Sequence, residues 1–312
     1  MRCSDLAAGK FRQPTRCRRP AIRMRRAIGF TRHIIAMIIV VLASGVLAAT
    51  LVRLSPGFGV DEQELDPSRD VAALRARNAS REEQRDFAGY CVRHTLAIFR
   101  GDLGVSRSWD RPVSGLLRER WPVTARLMAI GILGGWALAL AFALPGLIYP
   151  MRLWGALGEF LSGLLLCVPS AALALFFFVY AGPGRAIIAV ALFPRVFHYL
   201  RGLFSQAAAM PHVLAARARG AGPFRILLWH ILPTAAPQAI ALLGVSVSMA
   251  FGIAVAVEVV CDYPGIGQLA WKAALARDLP LLVTLTMLVT LATQTANAFA
   301  DLAAGMGREG RL

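Results

Sequence analysis

Five stretches of this sequence run for 19 to 27 residues without a charged side chain or a histidine: Ile34–Val52, Leu127–Met151, Phe160–Gly184, Ile231–Val257 and Leu279–Ala300. About 20 apolar residues in a helix cross the hydrocarbon core of a bilayer. One water-soluble core cannot absorb five such helices, so the chain belongs in a membrane. Composition agrees: 57% of the residues are hydrophobic and 17% are charged, against roughly half and a quarter in soluble domains.

A formal net charge of +16 would ordinarily point to nucleic acid, but its location argues otherwise. Residues 1–32 hold ten Lys or Arg and one acid, Asp5. That basic tail directly precedes the first apolar run, over 33–52, and by the positive-inside rule it places the N-terminus in the cytoplasm. No nucleic-acid partner is expected. The run is too long for the core of a signal peptide and no clear cleavage site follows it, so it reads as an uncleaved anchor.

A sixth span is shorter on charge-free length. Ala186–Pro194 has nine uncharged residues before Arg195, His198 and Arg201. Taken from Gly184 to Phe204 it can cross, provided its basic end snorkels or faces a wet interior; otherwise it is re-entrant or interfacial. Topology favours crossing. Arg195 to Arg225 carries five arginines, and no acid occurs from residue 160 to 257, so this basic segment belongs inside. Six helices then leave both ends cytoplasmic, with a short tail at 303–312.

Between the first two spans lies a polar insert, 53–121, with twelve Arg and eleven Asp or Glu. Val71–Arg77 and Glu82–Thr95 have helical composition, and Asn78 to Glu83 reads as a helix start. We expect a small helical extracytoplasmic insert. The remaining spans and the loop at 205–232 form a core domain over 122–302.

Enzyme signatures are missing. There is no phosphate-binding loop, no His-Glu-x-x-His and no Gly-x-Ser-x-Gly. The five histidines are scattered, as are Cys3, Cys17, Cys91, Cys167 and Cys261, without metal-ligand spacing. Cys167 reads as a small buried hydrophobe, and a Cys91–Cys261 disulfide stays open. No cofactor and no metal is expected.

The informative stretch is Met210–Ile240. A helix-favouring run, Val213 to Arg219, stops at Gly220-Ala221-Gly222-Pro223, and a second helix runs from Phe224 to Pro233. Glycine closes a helix and proline opens the next. Such a basic, apolar pair of helices is built either to plug a groove on a soluble partner or to rest on lipid headgroups.

Three residues separate Ala216 from Gly220, and Leu232-Pro233 begins twelve residues after that glycine. This spacing resembles the loop that marks permease subunits of bacterial ATP-binding-cassette (ABC) importers. The strings Ala216-Arg217-Ala218-Arg219-Gly220 and His230-Ile231-Leu232-Pro233 are similar to the dipeptide, oligopeptide and nickel branch. So are Glu258 to Gly267 (with Pro264, Gly265 and Gly267), Arg277-Asp278-Leu279-Pro280, Asn297, Asp301, and Gly101 to Ser106 ahead of Val113 and Thr124. The likeness runs from about residue 30 to 302. It departs at Leu214, where the family has Glu, at Pro211-His212 for Asp-Tyr, at Pro56-Gly57-Phe58-Gly59 for Pro-Gly-Asp-Pro, and at a C-terminus without Asp-Pro-Arg.

The resemblance implies an all-α, type I importer permease with six transmembrane helices in the bacterial inner membrane. It implies alternating access driven by ATP hydrolysis in another subunit, and no covalent chemistry in this chain. Its partners would be a second permease (or a copy of itself), two cytosolic ATPases, an extracytoplasmic solute-binding protein and membrane lipid. Leu214, Ala215, Ala216, Arg217, Ala218, Arg219, Gly220, His230, Leu232 and Pro233 would form the ATPase-coupling loop. Glu258, Pro264, Gly265, Gly267, Asp278, Asn297 and Asp301 would serve the translocation path or the structure around it. Glu258 reads first as a cap on the helix end or a partner of Lys272 or Arg277, with solute contact as the alternative. A peptide-like solute fits the lack of metal-ligand clusters better than nickel does. An ATP-independent channel or secondary carrier is the other reading, but it predicts internal repeats and intramembrane charge, and no half-to-half repeat is visible.

Overall fold

The computed structural model describes residues 19–54, 89, 93–94, 96–98, 100–148, 152–181 and 186–309. The helices expected at 71–77 and over most of 82–95 lie outside the described residues, as do Cys91 and Pro56–Gly59. The chain divides into two units, residues 1–39 and 40–312, and every contact below lies within the second.

The described chain is all-α apart from one small hairpin. Helix α1 covers Arg19–Leu54. Strands β1 (Val105–Ser106) and β2 (Arg111–Pro112) pair antiparallel, Val105 opposite Pro112, and lead into α2 (Val113–Ala143) and the short α3 (Pro145–Ile148). There follow α4 (Arg152–Cys167), α5 (Ser170–Ala181), α6 (Ile187–Ala208), α7 (Pro211–Ala218) and α8 (Pro223–Ile226). A π-turn at Leu227–Ile231 joins α8 to α9 (Leu232–Val260), then come α10 (Ile266–Leu275) and α11 (Leu279–Glu309).

Among the described residues, five helices are long and apolar enough to cross a membrane, or six if a bent pair counts as one span. The bend corrects the simple charge count. The uncharged run that begins at Phe160 is divided between two helices, α4 and α5, meeting at 100° between Cys167 and Ser170. Pro169 sits at the break; it lacks an N–H and biases the residue before it away from helix. Hydropathy registers no interruption there, because proline carries no charge. Cys167 lies exposed at this corner rather than buried. Conversely, the segment with the shortest charge-free length forms a continuous helix, α6, whose apolar side is buried.

Packing of the spans relies on small residues rather than on exclusion of water, since lipid is as apolar as a leucine. Helix α2 packs closely on α6 at Gly131 and Gly134. A Cβ on Gly131 would run into Ile188, and one on Gly134 would come within 2.8 Å of the Ala189 Cβ. Helix α9 meets α11 where Gly244 faces the Cα of Asn297 and the Ala300 methyl. Residues Val41, Ala48, Ala49 and Val52 of α1 pack on Leu279, Val283 and Met287 of α11. Threonines of α11 return their hydroxyls to carbonyls one turn back, Thr290 to Thr286 at 2.7 Å and Thr293 to Val289 at 3.0 Å, which makes polar side chains admissible in a span.

Candidate functional site

Two arrangements of the singled-out residues stand at the two ends of α9. At its N-terminal end, Pro211 opens α7 after an extended Met210. The helix closes on Gly220, whose φ is +77°. The Gly220 N–H donates to the Arg217 carbonyl at 2.9 Å and the Ala221 N–H to the Ala216 carbonyl at 3.2 Å. This pair of bonds is the Schellman closure, which needs a left-handed residue at its turn. Pro223 then opens α8 from an extended Gly222. Because Pro233 has no N–H, the ladder slips by one residue: the Leu232 N–H reaches back to Leu227, and the Thr234 hydroxyl donates to the His230 carbonyl at 2.6 Å.

Val213, Ala216, Ile226, Leu227 and Ile231 anchor this loop to the helices beneath it. Leu214, Ala215, Arg217, Ala218, Arg219 and Gly220 are exposed. So are Phe224, Arg225 and Trp229, the last at 75%. The loop thus presents apolar side chains between arginines. Leu232 and Pro233 are half-buried at the start of α9. The fold also brings His212 to His230, their rings stacked 6.4 Å apart, with His212 Nε2 3.4 Å from the Thr234 hydroxyl and His230 Nδ1 buried without a partner among the described residues. Their separation by eighteen residues hid this pairing.

At the C-terminal end of α9, Glu258 is fully buried. The Thr124 hydroxyl of α2 donates to its Oε1 at 2.7 Å, and the Gly267 and Gln268 N–H groups donate to its Oε2 at 2.7 and 3.3 Å. The carboxylate therefore occupies the N-terminus of α10, where unpaired N–H groups and the helix dipole favour negative charge. Thr124 Oγ1 in turn accepts the Ile266 N–H at 2.8 Å. Gly265 and Gly267 leave room for it: a Cβ on Gly265 would overlap the carboxyl, and one on Gly267 would lie 3.0 Å from Oε2 and 2.7 Å from the Val255 Cα. Lys272 lies instead beside Asp262, at 3.9 Å. Pro264 stays exposed in the connecting turn. Arg120 donates to Gln268 Oε1 at 3.1 Å, and Gln268 to Asp262.

Asp278 makes a parallel brace at the start of α11. Its carboxylate accepts from the Ser106 hydroxyl at 2.5 Å, the Ser108 N–H at 3.0 Å and the Leu281 N–H at 3.3 Å, tying the β1–β2 hairpin to the core. Nearby, His94 Nε2 lies 3.0 Å from the Thr284 hydroxyl. Asn297 belongs to neither brace; its amide donates to the Ser248 hydroxyl at 3.3 Å. Asp301 is exposed further along α11.

Sequence reasoning left out Gln268 and Ser108, and it paired neither Ser106 with Asp278 nor Thr124 with Glu258. A buried carboxylate demands donors, but their distance along the chain (134 residues for Thr124) concealed them. Among the described residues no group of three His, Cys, Asp or Glu could hold a metal ion. The braces are saturated by hydrogen bonds within the chain, which suits them to hold helix ends rather than to do chemistry.

Residues 117–306 match the family model described as binding-protein-dependent transport system inner membrane component. The chain is similar to the glutathione transport system permease protein of Pectobacterium atrosepticum, at 27% identity covering 88% of this chain and 95% of that one. It is similar also to the oligopeptide transport system permease protein of Haemophilus influenzae, at 24% identity over 81% and 88% of the two chains. A Brucella ovis protein named as a peptide permease is 25% identical over 84% and 92%.

Proposed function

We propose that this chain, which belongs to the family of inner membrane components of binding-protein-dependent transport systems, forms half of the membrane path for a peptide-like solute. As a permease subunit of an ABC importer it is a multi-pass inner-membrane protein, and ATP is hydrolysed by a separate subunit. The finer reading adds a second permease, two cytosolic ATPases and a solute-binding protein outside. Both termini then lie in the cytoplasm, the orientation the basic tail favours. The names of the relatives, which speak of peptide, oligopeptide and glutathione, support a peptide-like solute.

The observation that carries the coupling assignment is the 210–233 loop. An exposed surface of Leu214, Ala215, Ala218 and Phe224, rimmed by Arg217, Arg219 and Arg225, sits on buried anchors that fix its orientation. An amphipathic element of that kind fits a groove on a folded partner, and closure of the ATPase dimer would move it as a unit with α9. The exposed Leu214 makes the contact more apolar.

The test is Gly220→Val. No atom crowds the position, so conformation alone is challenged: φ of +77° costs an L-residue about 1–2 kcal/mol, and more when β-branched. We expect a permease that inserts normally but loses its ATPase on gel filtration or loses solute-stimulated ATP hydrolysis. Normal assembly with normal stimulation would remove the coupling role. Gly220→Asn, which tolerates the left-handed region, should be close to wild type.

A further inference from the structure

Helix α6 is polar along one side although it passes as a membrane span. Its buried residues are apolar, among them Val196, Phe197, Leu200 and Phe204. Its exposed residues are Arg195, His198, Tyr199, Gly202, Ser205 and Gln206, which recur at three- and four-residue intervals and so form one stripe. None is aliphatic. The contrast with α5 is direct, for α5 exposes Leu175, Phe176, Phe178 and Val179, as a lipid-facing helix should. A stripe like that of α6 belongs against water or protein, because charged side chains in a membrane face a cavity or a partner.

Arg195 stands roughly 12 Å along α6 from Ile187, at 1.5 Å per residue, in the interior of a helix long and apolar enough to cross a membrane. The other basic groups of this stretch are engaged. Arg201 pairs with Glu159 of α4 and reaches the Gly155 carbonyl; His198 Nε2 lies 3.2 Å from the Ser162 hydroxyl. Arg195 has no hydrogen-bond or ion-pair partner among the described residues. The sequence offers it no acid between residues 160 and 257. A guanidinium within a membrane-crossing helix, on a polar stripe and with no counter-ion among the described residues, calls for an anion from outside the chain.

We propose that this stripe lines the translocation path and that Arg195 receives the C-terminal carboxylate of a peptide in transit. The inference rests on the peptide-permease reading above. A guanidinium presents two parallel N–H donors that match a carboxylate, and the exposed Tyr199 lies one turn on along the same stripe. A single such contact selects for a free carboxylate without holding the solute too tightly to leave.

The experiment uses the whole complex, with ATPases and binding protein, in liposomes. ATP-driven uptake of a dipeptide is compared with uptake of its C-terminal amide, and the ratio is measured for wild type, Arg195→Gln and Arg195→Lys. The binding protein is the same throughout, so its own preference cancels between variants. Loss of one charge-assisted contact should lower the acid-to-amide ratio about tenfold or more in Arg195→Gln, and Arg195→Lys should keep much of it. An unchanged ratio in Arg195→Gln overturns the proposal. So does a glutamine variant that fails to assemble, because Arg195 would then serve the protein interior or an acid of a partner subunit. A wild-type complex that imports no peptide at all would instead overturn the reading on which the proposal rests.

Discussion

Replacing Glu258 with glutamine separates a structural brace from a solute contact, and the hydrogen bonds set the size of the effect. The carboxylate accepts one hydroxyl and two backbone N–H groups. A glutamine oxygen can keep the two N–H bonds, but its NH2 then faces Thr124 Oγ1, which already accepts the Ile266 N–H. The threonine hydroxyl is left without its acceptor, and the two retained bonds fall from charged to neutral strength. At about 1.5–3 kcal/mol for a charged bond and 0.5–1.5 for a neutral one, the hydrogen-bond loss is about 3.5–6 kcal/mol, part of which the cheaper burial of a neutral side chain offsets. Glu258→Ala strands all three donors in a buried place and should cost more. Unfolding titrated with denaturing detergent in mixed micelles reads the stability, and uptake in liposomes reads function. A brace predicts a lower unfolding midpoint and reduced folded yield, with transport per folded complex retained. Thr124→Val should couple to Glu258→Gln, so that the double variant loses less than the sum of the single ones. A Glu258→Gln protein as stable as wild type but unable to transport, with no coupling to Thr124, would refute the argument and assign the carboxylate to solute.

Two further outcomes follow from the packing and the charge. Gly131→Leu drives a side chain into Ile188 and should destabilise the α2–α6 contact by about 1–3 kcal/mol, with partial recovery in Gly131→Leu/Ile188→Ala; equal thermal stability of Gly131→Leu and wild type in detergent would argue against close packing there. Burial holds the His94 imidazole below its ordinary value of 6.5, outweighing the opposing pull of Asp102 and the Pro280 carbonyl. The folded chain then binds fewer protons than the unfolded one, so this contribution to stability is present above 6.5 and is lost as pH falls through the lowered folded value. His94→Gln should flatten that acid-side loss, and an unchanged pH profile of unfolding would count against it.

Much was legible because the bilayer imposes a one-dimensional rule. Stretches such as Ile231–Val257 and Leu279–Ala300 mark spans by the absence of charge, whatever they pack against, since no charged group crosses hydrocarbon cheaply. The turn at Gly220 was legible for a local reason as well: Gly-Ala-Gly-Pro encodes its own helix stop and start, and the φ of +77° is the conformation glycine permits.

Pairing and exposure were decided only in three dimensions. Counting charges cannot detect the 100° bend at Pro169, because a proline interrupts hydrogen bonding, not hydropathy. Nor can it rank the α6 segment, whose arginines are acceptable because α4 supplies Glu159 to Arg201 and because Arg195 lies on the exposed side. Glu258 stood out as an acid near a helix end, yet only the fold brings Thr124 from 134 residues away to meet it and sets the N-terminus of α10 against it. A sequence records which side chains must avoid lipid; where a buried polar group finds its partner depends on distances between helices, and those exist only once the helices have packed.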